Sequence, residues 1–184
     1  EMCIRDRCHL LPFDIAETNI SYYALCALMF SVGLSVGNDP QTLKNFRSLN
    51  PRLVFLPIMT ILGTLAGSAA VSLILTHRSI TDCLAVGSGF GYYSLSSIFI
   101  TEYKGAELGT IALLANISRE ILTLLAAPLL VRWFGNLAPI SAGGATTMDT
   151  TLPIITRTAG QQFVVVSIFH GFVVDFSVPF LVTL

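Results

Sequence analysis

Apolar residues in this chain fall in long runs rather than at the alternating spacing of a half-buried strand or the 3.6-residue spacing of an amphipathic helix. Most runs are long enough for a helix to cross the ~30 Å hydrocarbon core of a bilayer. The pattern predicts an all-α integral membrane protein with about six hydrophobic segments. These segments span residues 20–37, 53–75, 80–100, 108–134, 138–156 and 163–184.

Two of these segments, residues 80–100 and 138–156, are interrupted by glycine and proline. Glycine relaxes the backbone and proline removes a hydrogen-bond donor, so we expect both segments to be broken or re-entrant helices. Unwound backbone at membrane depth is tolerated only where it is buried in protein or lines a cavity, and paired broken segments mark the binding site of many transporters. By analogy we expect an inverted-repeat transporter architecture. The alternative is that the glycines only allow helices to pack closely.

Composition supports a membrane protein and excludes several other classes. Hydrophobic residues make up 53% of the 184-residue chain and charged residues 11%, whereas soluble domains are about 25% charged. The formal net charge of −1 gives no basic footprint, so we expect no nucleic-acid partner. The cysteines show no CxxC spacing, and the sequence contains neither a metal-ligand cluster nor a nucleotide-binding loop, so we expect no metal site and no cofactor.

The N-terminal residues call for separate treatment. Residues 1–7, "EMCIRDR", resemble the translation of a sequencing adapter, so we interpret them as a scar and exclude them from fold reasoning. Residues 8–19 are then a linker, and residues 20–184 form a single transmembrane transporter domain. On this interpretation the chain is a fragment whose native N-terminus is missing.

Basic residues predict the orientation in the membrane. The connection at residues 38–52 holds three basic residues and the connection at residues 76–79 holds one arginine, so the positive-inside rule places the first connection in the cytoplasm. If every later segment crosses, Lys104 and Arg157 are also cytoplasmic and Arg132 is not. A re-entrant fifth segment would move Arg157 outside and weaken the bias.

The middle of the fourth segment carries Asn116, Arg119 and Glu120. An ionised side chain at that depth is unfavourable by roughly 2.5–3.5 kcal/mol, so these residues need a partner or a function. Asn116 and Glu120 share one helix face, while Arg119 points about 100° away. We expect Glu120 to face a cavity, where it binds a proton or a cationic substrate, and Arg119 to reach an adjacent helix or to snorkel. The alternative for Glu120 is a structural hydrogen bond to the third or fifth segment.

Other polar side chains lie in the last two segments. Asp149 is a second candidate acid because the backbone around it is expected to be unwound. His170 is a weaker candidate, since a lone intramembrane histidine often only bonds a neighbour. Asp175 lies deep in the last segment, and the sequence indicates no partner and no role for it.

Catalysis is not expected. Ser88 with His170 lacks the G-x-S-G context of an intramembrane serine protease, and Asp149 lacks the G-x-G-D context of an aspartyl protease. A non-transporting membrane scaffold would not require polar groups in three separate segments. A transporter is therefore the favoured class, and an exchanger of monovalent cations against protons, using the same acids, is the alternative.

Four stretches in order resemble the prokaryotic lysine exporter family of the LysO type. They are residues 88–102, 107–122, 143–155 and 170–174, and the resemblance extends from about residue 25 to the C-terminus. It implies export of L-lysine, and of the analogue thialysine, across the prokaryotic inner membrane and driven by an ion gradient. Longer family members have an additional N-terminal membrane half, so the resemblance implies an incomplete or split transporter, or a homo-oligomer.

The resemblance also implies roles for individual residues. Glu120 matches the acid of the family's "RE" motif and Asp149 the acid of its "GATSMD" motif. Lysine carries two ammonium groups and one carboxylate, so the two acids would serve the amines or carry a coupling proton or other cation. Hydroxyl and helix N–H groups would serve the carboxylate. The hydroxyl candidates are Ser94, Ser96, Thr146 and Thr147. Asp175 departs from the family, which usually has an apolar or small polar residue there.

Overall fold

The computed structural model describes Phe30, residues 51–75 and residues 78–182. All regular secondary structure within these residues is helical, which confirms the predicted all-α class. The predictions for residues 1–19 and for the segment at residues 20–37 lie outside the described residues, apart from Phe30.

Eight α-helices follow one another in the described part after residue 50. They are α1 (Pro51–Val54), α2 (Leu56–Ile74), α3 (Ile80–Gly87), α4 (Tyr93–Lys104), α5 (Ala106–Phe134), α6 (Ala138–Gly143), α7 (Leu152–Ala159) and α8 (Val164–Val182). A 3-10 helix (Gly144–Met148) follows α6, and a second one (Gln161–Phe163) leads into α8.

Three elements in the described part are long and apolar enough to cross a membrane. They are α2, α5 and the span Gln161–Val182 that contains α8. With 29 residues, α5 is about 43 Å long. These three elements correspond to the second, fourth and sixth hydrophobic segments of the sequence.

The third segment forms a re-entrant hairpin, here called hairpin 1, made of α3 and α4. The helix stops after Gly87, the chain turns through Gly91, which has a φ of +90°, and α4 then returns. Lys104 at the end of α4 lies 3.3 Å from Asp82 at the start of α3. Arg78 pairs with Glu107 beside them. Both ends of hairpin 1 therefore lie at one end of the molecule, which we call the Lys104 end.

The fifth segment forms a second re-entrant hairpin, hairpin 2, made of α6, the 3-10 helix Gly144–Met148, and α7. Its two arms share one apolar cluster, because Ile140 of α6 packs with Ile155 and Ala159 of α7. The cluster also contains residues from the start of α2, the end of α5 and the approach to α8, namely Leu53, Leu56, Val131, Leu137 and Phe163. Both ends of hairpin 2 therefore lie at the opposite end of the molecule, which we call the Trp133 end.

The re-entrant hairpins change the orientation argument. Lys104 and Arg78 lie at the same end, so the expectation that they fall on opposite sides, which followed from every segment crossing, is wrong. Arg157 near the end of α7 and Arg132 near the end of α5 lie together at the Trp133 end, where α2 also begins. In the sequence, the basic connection at residues 38–52 directly precedes Leu53, which lies at this end. By the positive-inside rule we expect the Trp133 end to face the cytoplasm, as the sequence predicted for the connection at residues 38–52.

The tips of the two hairpins meet near the middle of α5. The Ala145 N–H donates a 3.0 Å hydrogen bond to the Phe90 carbonyl. Gly144, with a φ of +65°, allows this approach, since a Cβ atom there would lie 2.2 Å from the Phe90 oxygen. Both hairpins pack against α5. Two hairpins that enter from opposite ends and meet at their tips match the inverted arrangement expected by analogy.

The topology can be tested by cysteine labelling from outside the cell in a background without native cysteines. Thr81→Cys and Glu102→Cys, both exposed at the Lys104 end, should react alike with a membrane-impermeant maleimide. Asn136→Cys and Gln162→Cys, exposed at the Trp133 end, should react only after the membrane is permeabilised. Opposite labelling of positions 81 and 102 would contradict a re-entrant hairpin 1.

The tip contact predicts that Gly144→Ala destabilises the protein. An alanine there must keep a positive φ, a backbone conformation that costs about 1–3 kcal/mol. Its Cβ also displaces the Phe90 carbonyl. Gly105→Ala is the matched control, because Gly105 has a φ of +96° but open space around its Cα. In detergent, the thermal unfolding midpoint should fall clearly further for Gly144→Ala. Equal midpoints for the two variants would mean that the tip contact does not stabilise the fold.

Candidate functional site

Asn116, in the middle of α5, holds the tip of hairpin 1. Its Oδ1 accepts a 2.8 Å hydrogen bond from the Gly91 N–H. Its Nδ2 lies 2.9 Å from the Ala112 carbonyl, 3.3 Å from the Val86 carbonyl and 3.4 Å from the Ser96 hydroxyl. Since α3 ends just after Val86, backbone N–H and C=O groups near this break have no hydrogen-bond partner within a helix. The Asn116 amide provides partners for two of them. Asn116 and Ser96 are both buried, and together they fix the turn.

Arg119 connects α5 to hairpin 2. Its Nε donates to the Ala142 carbonyl at 2.8 Å and its Nη2 to the Ser141 carbonyl at 3.2 Å. These carbonyls belong to the last turn of α6, where a positive charge is favourable and where backbone acceptors lack helical donors. The guanidinium carbon also lies 5.8 Å from the centroid of the Phe90 ring in the tip of hairpin 1. Arg119 thus reaches a neighbouring helix, as predicted, and contacts both hairpin tips.

Glu120 is half-buried on α5 between two buried residues of the same face, Asn116 and Thr123. Its carboxylate makes no hydrogen bond and no ion pair with the residues that the structure describes. The Thr123 hydroxyl instead donates to the Arg119 carbonyl at 2.9 Å. The described contacts therefore contain no hydrogen bond from Glu120 to the third or fifth segment, which was the structural alternative for this residue.

Thr146 and Thr147 are buried within hairpin 2. The Thr146 hydroxyl donates to the Gly143 carbonyl at 3.0 Å. The Thr147 hydroxyl lies within hydrogen-bond distance of the Gly144 carbonyl, at 2.8 Å, and of the Ser167 carbonyl on α8, at 2.9 Å. These hydroxyls therefore satisfy backbone carbonyls of the broken segment and attach it to α8.

His170 is fully buried on α8 and lies between two hydroxyl groups. Its Nδ1 is 3.3 Å from Thr147 Oγ1 and its Nε2 is 2.9 Å from Thr60 Oγ1 of α2. One ring nitrogen donates and the other accepts in a neutral imidazole, so two hydroxyls satisfy the ring completely. His170 joins α2, hairpin 2 and α8. This is the alternative in which an intramembrane histidine only bonds its neighbours.

The polar residues around the two tips, which include Asn116, Arg119, Thr147 and His170, are here called the central cluster. Two predicted site residues do not join it. Ser94, at the start of α4, is exposed, and its carbonyl accepts from the Ser97 hydroxyl at 3.4 Å. Asp149, after the 3-10 helix of hairpin 2, is also exposed, and it accepts from the N–H and the hydroxyl of Thr150. Asp149 therefore lies where water or a solute can reach it.

Two residues near the tips were not anticipated from the sequence. Thr60 is one of four hydroxyl residues in a run that reads as a plain transmembrane helix, so no signal marked it as the partner of His170. Phe90 contributes both its carbonyl and its ring to the contact between the tips. An aromatic residue between glycines carries no sequence signal for such a contact.

A cavity of about 360 Å³ lies between α2 and α6, next to the polar residues around the tips. Its lining includes Thr60 and the Ser141 and Ala142 residues whose carbonyls bind Arg119. A larger cavity of about 610 Å³ between α2, α3 and α5 is lined mainly by apolar side chains and includes Arg78 and Asp82 at the Lys104 end. The smaller cavity is therefore the one next to the carbonyls that bind Arg119. Within the described residues no group of histidine, cysteine and acidic side chains is placed to hold a metal ion.

Comparison with known proteins gives a consistent assignment. The model of the family described as lysine exporter LysO matches residues 6–184. The chain is 37% identical over 172 residues to the lysine exporter LysO of Escherichia coli, in a match that covers 94% of this chain and 56% of that protein. It is 36% identical over 159 residues to a putative lysine exporter of Haemophilus influenzae, covering 86% of this chain and 80% of that protein.

The chain thus spans little more than half the length of its Escherichia coli relative. No solved structure matches it. The family match extends over nearly the whole sequence and over every helix that the structure describes. By its sequence, this helical chain belongs to the LysO family of lysine exporters.

Proposed function

We propose that this protein takes part in the export of L-lysine, and of thialysine, across a prokaryotic inner membrane, driven by an ion gradient. The observation that carries the proposal is the meeting of two re-entrant tips at the charged centre of α5. Broken helices that meet at mid-membrane are how many transporters present backbone groups to a substrate. The two relatives, whose names describe lysine exporters, favour lysine as that substrate.

The two acids and Arg119 fit an amino acid with two ammonium groups and one carboxylate. Glu120 has no cationic partner among the described residues, and Asp149 is exposed, so both can bind an ammonium group or a coupling cation. Arg119 uses two of its nitrogen atoms for the carbonyls of α6. A guanidinium has five N–H donors, so the remaining ones can bind the substrate carboxylate.

The hydroxyl candidates have a more limited part in this proposal. Ser96, Thr146 and Thr147 bond backbone carbonyls of the broken segments. They position the tips, and Arg119 replaces them as the principal group for the carboxylate. Ser94 remains a candidate at the exposed start of α4.

Glu120→Gln should abolish lysine export while the protein accumulates normally. The amide keeps the shape of the side chain but removes the charge, and no described contact depends on that charge. Glu120→Asp should keep partial activity because the charge remains and only its reach is shorter. Efflux of radiolabelled lysine from loaded cells measures both variants. Glu102→Gln, which changes an exposed acid on α4, is the matched control.

Two outcomes would contradict these assignments. Normal lysine efflux by a well-accumulated Glu120→Gln protein would remove Glu120 from the site. If the wild-type protein exchanges Na⁺ or K⁺ for protons and lysine has no effect on that flux, the protein is a cation exchanger and not a lysine exporter.

Arg119→Gln should show a different signature, namely loss of stability together with loss of export. The shorter amide leaves the Ser141 and Ala142 carbonyls without their donors, and each unsatisfied buried group costs about 1–3 kcal/mol. The thermal unfolding midpoint in detergent should therefore fall below that of the control Arg132→Gln, which changes an exposed arginine at the Trp133 end. Equal midpoints would show that the two bonds to α6 contribute little.

A further inference from the structure

Asp175 is a buried acid that the proposed site does not use. It lies in the middle of α8 and is 4% exposed. Its Oδ1 atom has no hydrogen-bond partner among the described residues. A buried carboxylate without a partner is strongly unfavourable, so it must be neutralised either by a proton or by a cation.

The packing of α8 places Asp175 beside hairpin 2. Gly171 lies one helical turn before Asp175 on the same face. A Cβ atom at Gly171 would lie 2.7 Å from the Met148 nitrogen, so α8 and the 3-10 helix of hairpin 2 are in close contact there. Asp149 follows Met148 directly. The exposed acid therefore follows the segment that packs against the helix of the buried acid.

Neither acid forms an ion pair with a residue that the structure describes. Tyr92, in the turn of hairpin 1, is a phenol and supplies no positive charge. His170 on the same helix is held by two hydroxyls, and Arg119 is directed at the carbonyls of α6. The described part of α2 that packs against α8 contains no titratable residue. Two neighbouring like charges resist simultaneous ionisation, so one proton on the pair relieves the repulsion.

We propose that Asp175 is an exchangeable proton site, coupled electrostatically to a cation-binding carboxylate at Asp149. This inference rests on the proposed function. With no cation at Asp149, the Asp175 carboxyl holds a proton. When an ammonium group of the substrate binds beside Asp149 and Asp175, it becomes the cation that neutralises the pair, and the Asp175 O–H releases its proton to water. Departure of the ammonium group restores the repulsion, and Asp175 takes up a proton again. Proton and amine thus exchange one for one.

The proposal is tested with Asp175→Asn in the full-length protein, because asparagine mimics the protonated carboxyl. The variant should accumulate normally and support exchange of labelled for unlabelled lysine across proteoliposomes. It should lose the stimulation of lysine efflux by an inward proton gradient. The purified wild-type protein should release protons into weakly buffered solution when lysine is added, and the variant should not. Glu102→Gln serves as control and should behave like the wild type in all of these measurements.

Each contrary outcome overturns the proposal. Proton release that persists in Asp175→Asn shows that the proton resides elsewhere. Failure of Asp175→Asn to accumulate, when Asp175→Glu accumulates, shows that the fold needs the negative charge rather than a neutral carboxyl.

A measurement without lysine separates this inference from the proposed function. Infrared spectroscopy of the substrate-free protein should show a protonated carboxyl band that is absent from Asp175→Asn and retained in Glu102→Gln. If lysine is not transported but this band is found, the proposed function fails and the proton site remains. If lysine is transported and the band is unchanged in Asp175→Asn, the proton site fails alone.

Discussion

The whole arrangement depends on one requirement of the bilayer, namely that every backbone N–H and C=O group at membrane depth must find a partner within the protein. Two broken segments create orphan groups at the ends of α3 and α6. The side chains of Asn116 and Arg119 satisfy several of them, and the bond between Ala145 and Phe90 satisfies two more. The polar middle of α5 is thus required structurally, because without it the breaks would expose unpaired backbone to an apolar environment.

Adjacent residues of α5 differ in what they contact. Asn116 and two nitrogen atoms of Arg119 bond backbone groups, whereas Glu120 has no described partner. The same contrast occurs at the end of hairpin 2, where Thr147 is bonded to α8 and Asp149 is exposed. The donors of Arg119 that do not bond α6, together with the two acids, are the groups that the proposed function assigns to a solute or an ion.

The sequence predicted the helical class, the two breaks and the contact of Arg119 with a neighbouring helix. Glycine-rich interruptions weaken a helix, and a charge within an apolar run requires a partner. It predicted that the third segment is a broken or a re-entrant helix but could not decide between the two. A run of 21 residues reads equally as one crossing helix or as two short arms, and the pairings of Lys104 with Asp82 and of Arg78 with Glu107 distinguish them. The partner of His170 was equally hidden, since Thr60 lies more than a hundred residues away in an otherwise ordinary span.

The opposed entry of the two hairpins has a mechanical consequence. Each hairpin is joined to the rest of the chain at a different end of the molecule, and the two tips meet at one shared layer beside α5. A displacement of one hairpin would break the tip contact from its own end only, while the other hairpin stays packed against α5. Short arms can therefore move independently of each other, and the long helices around them need not tilt.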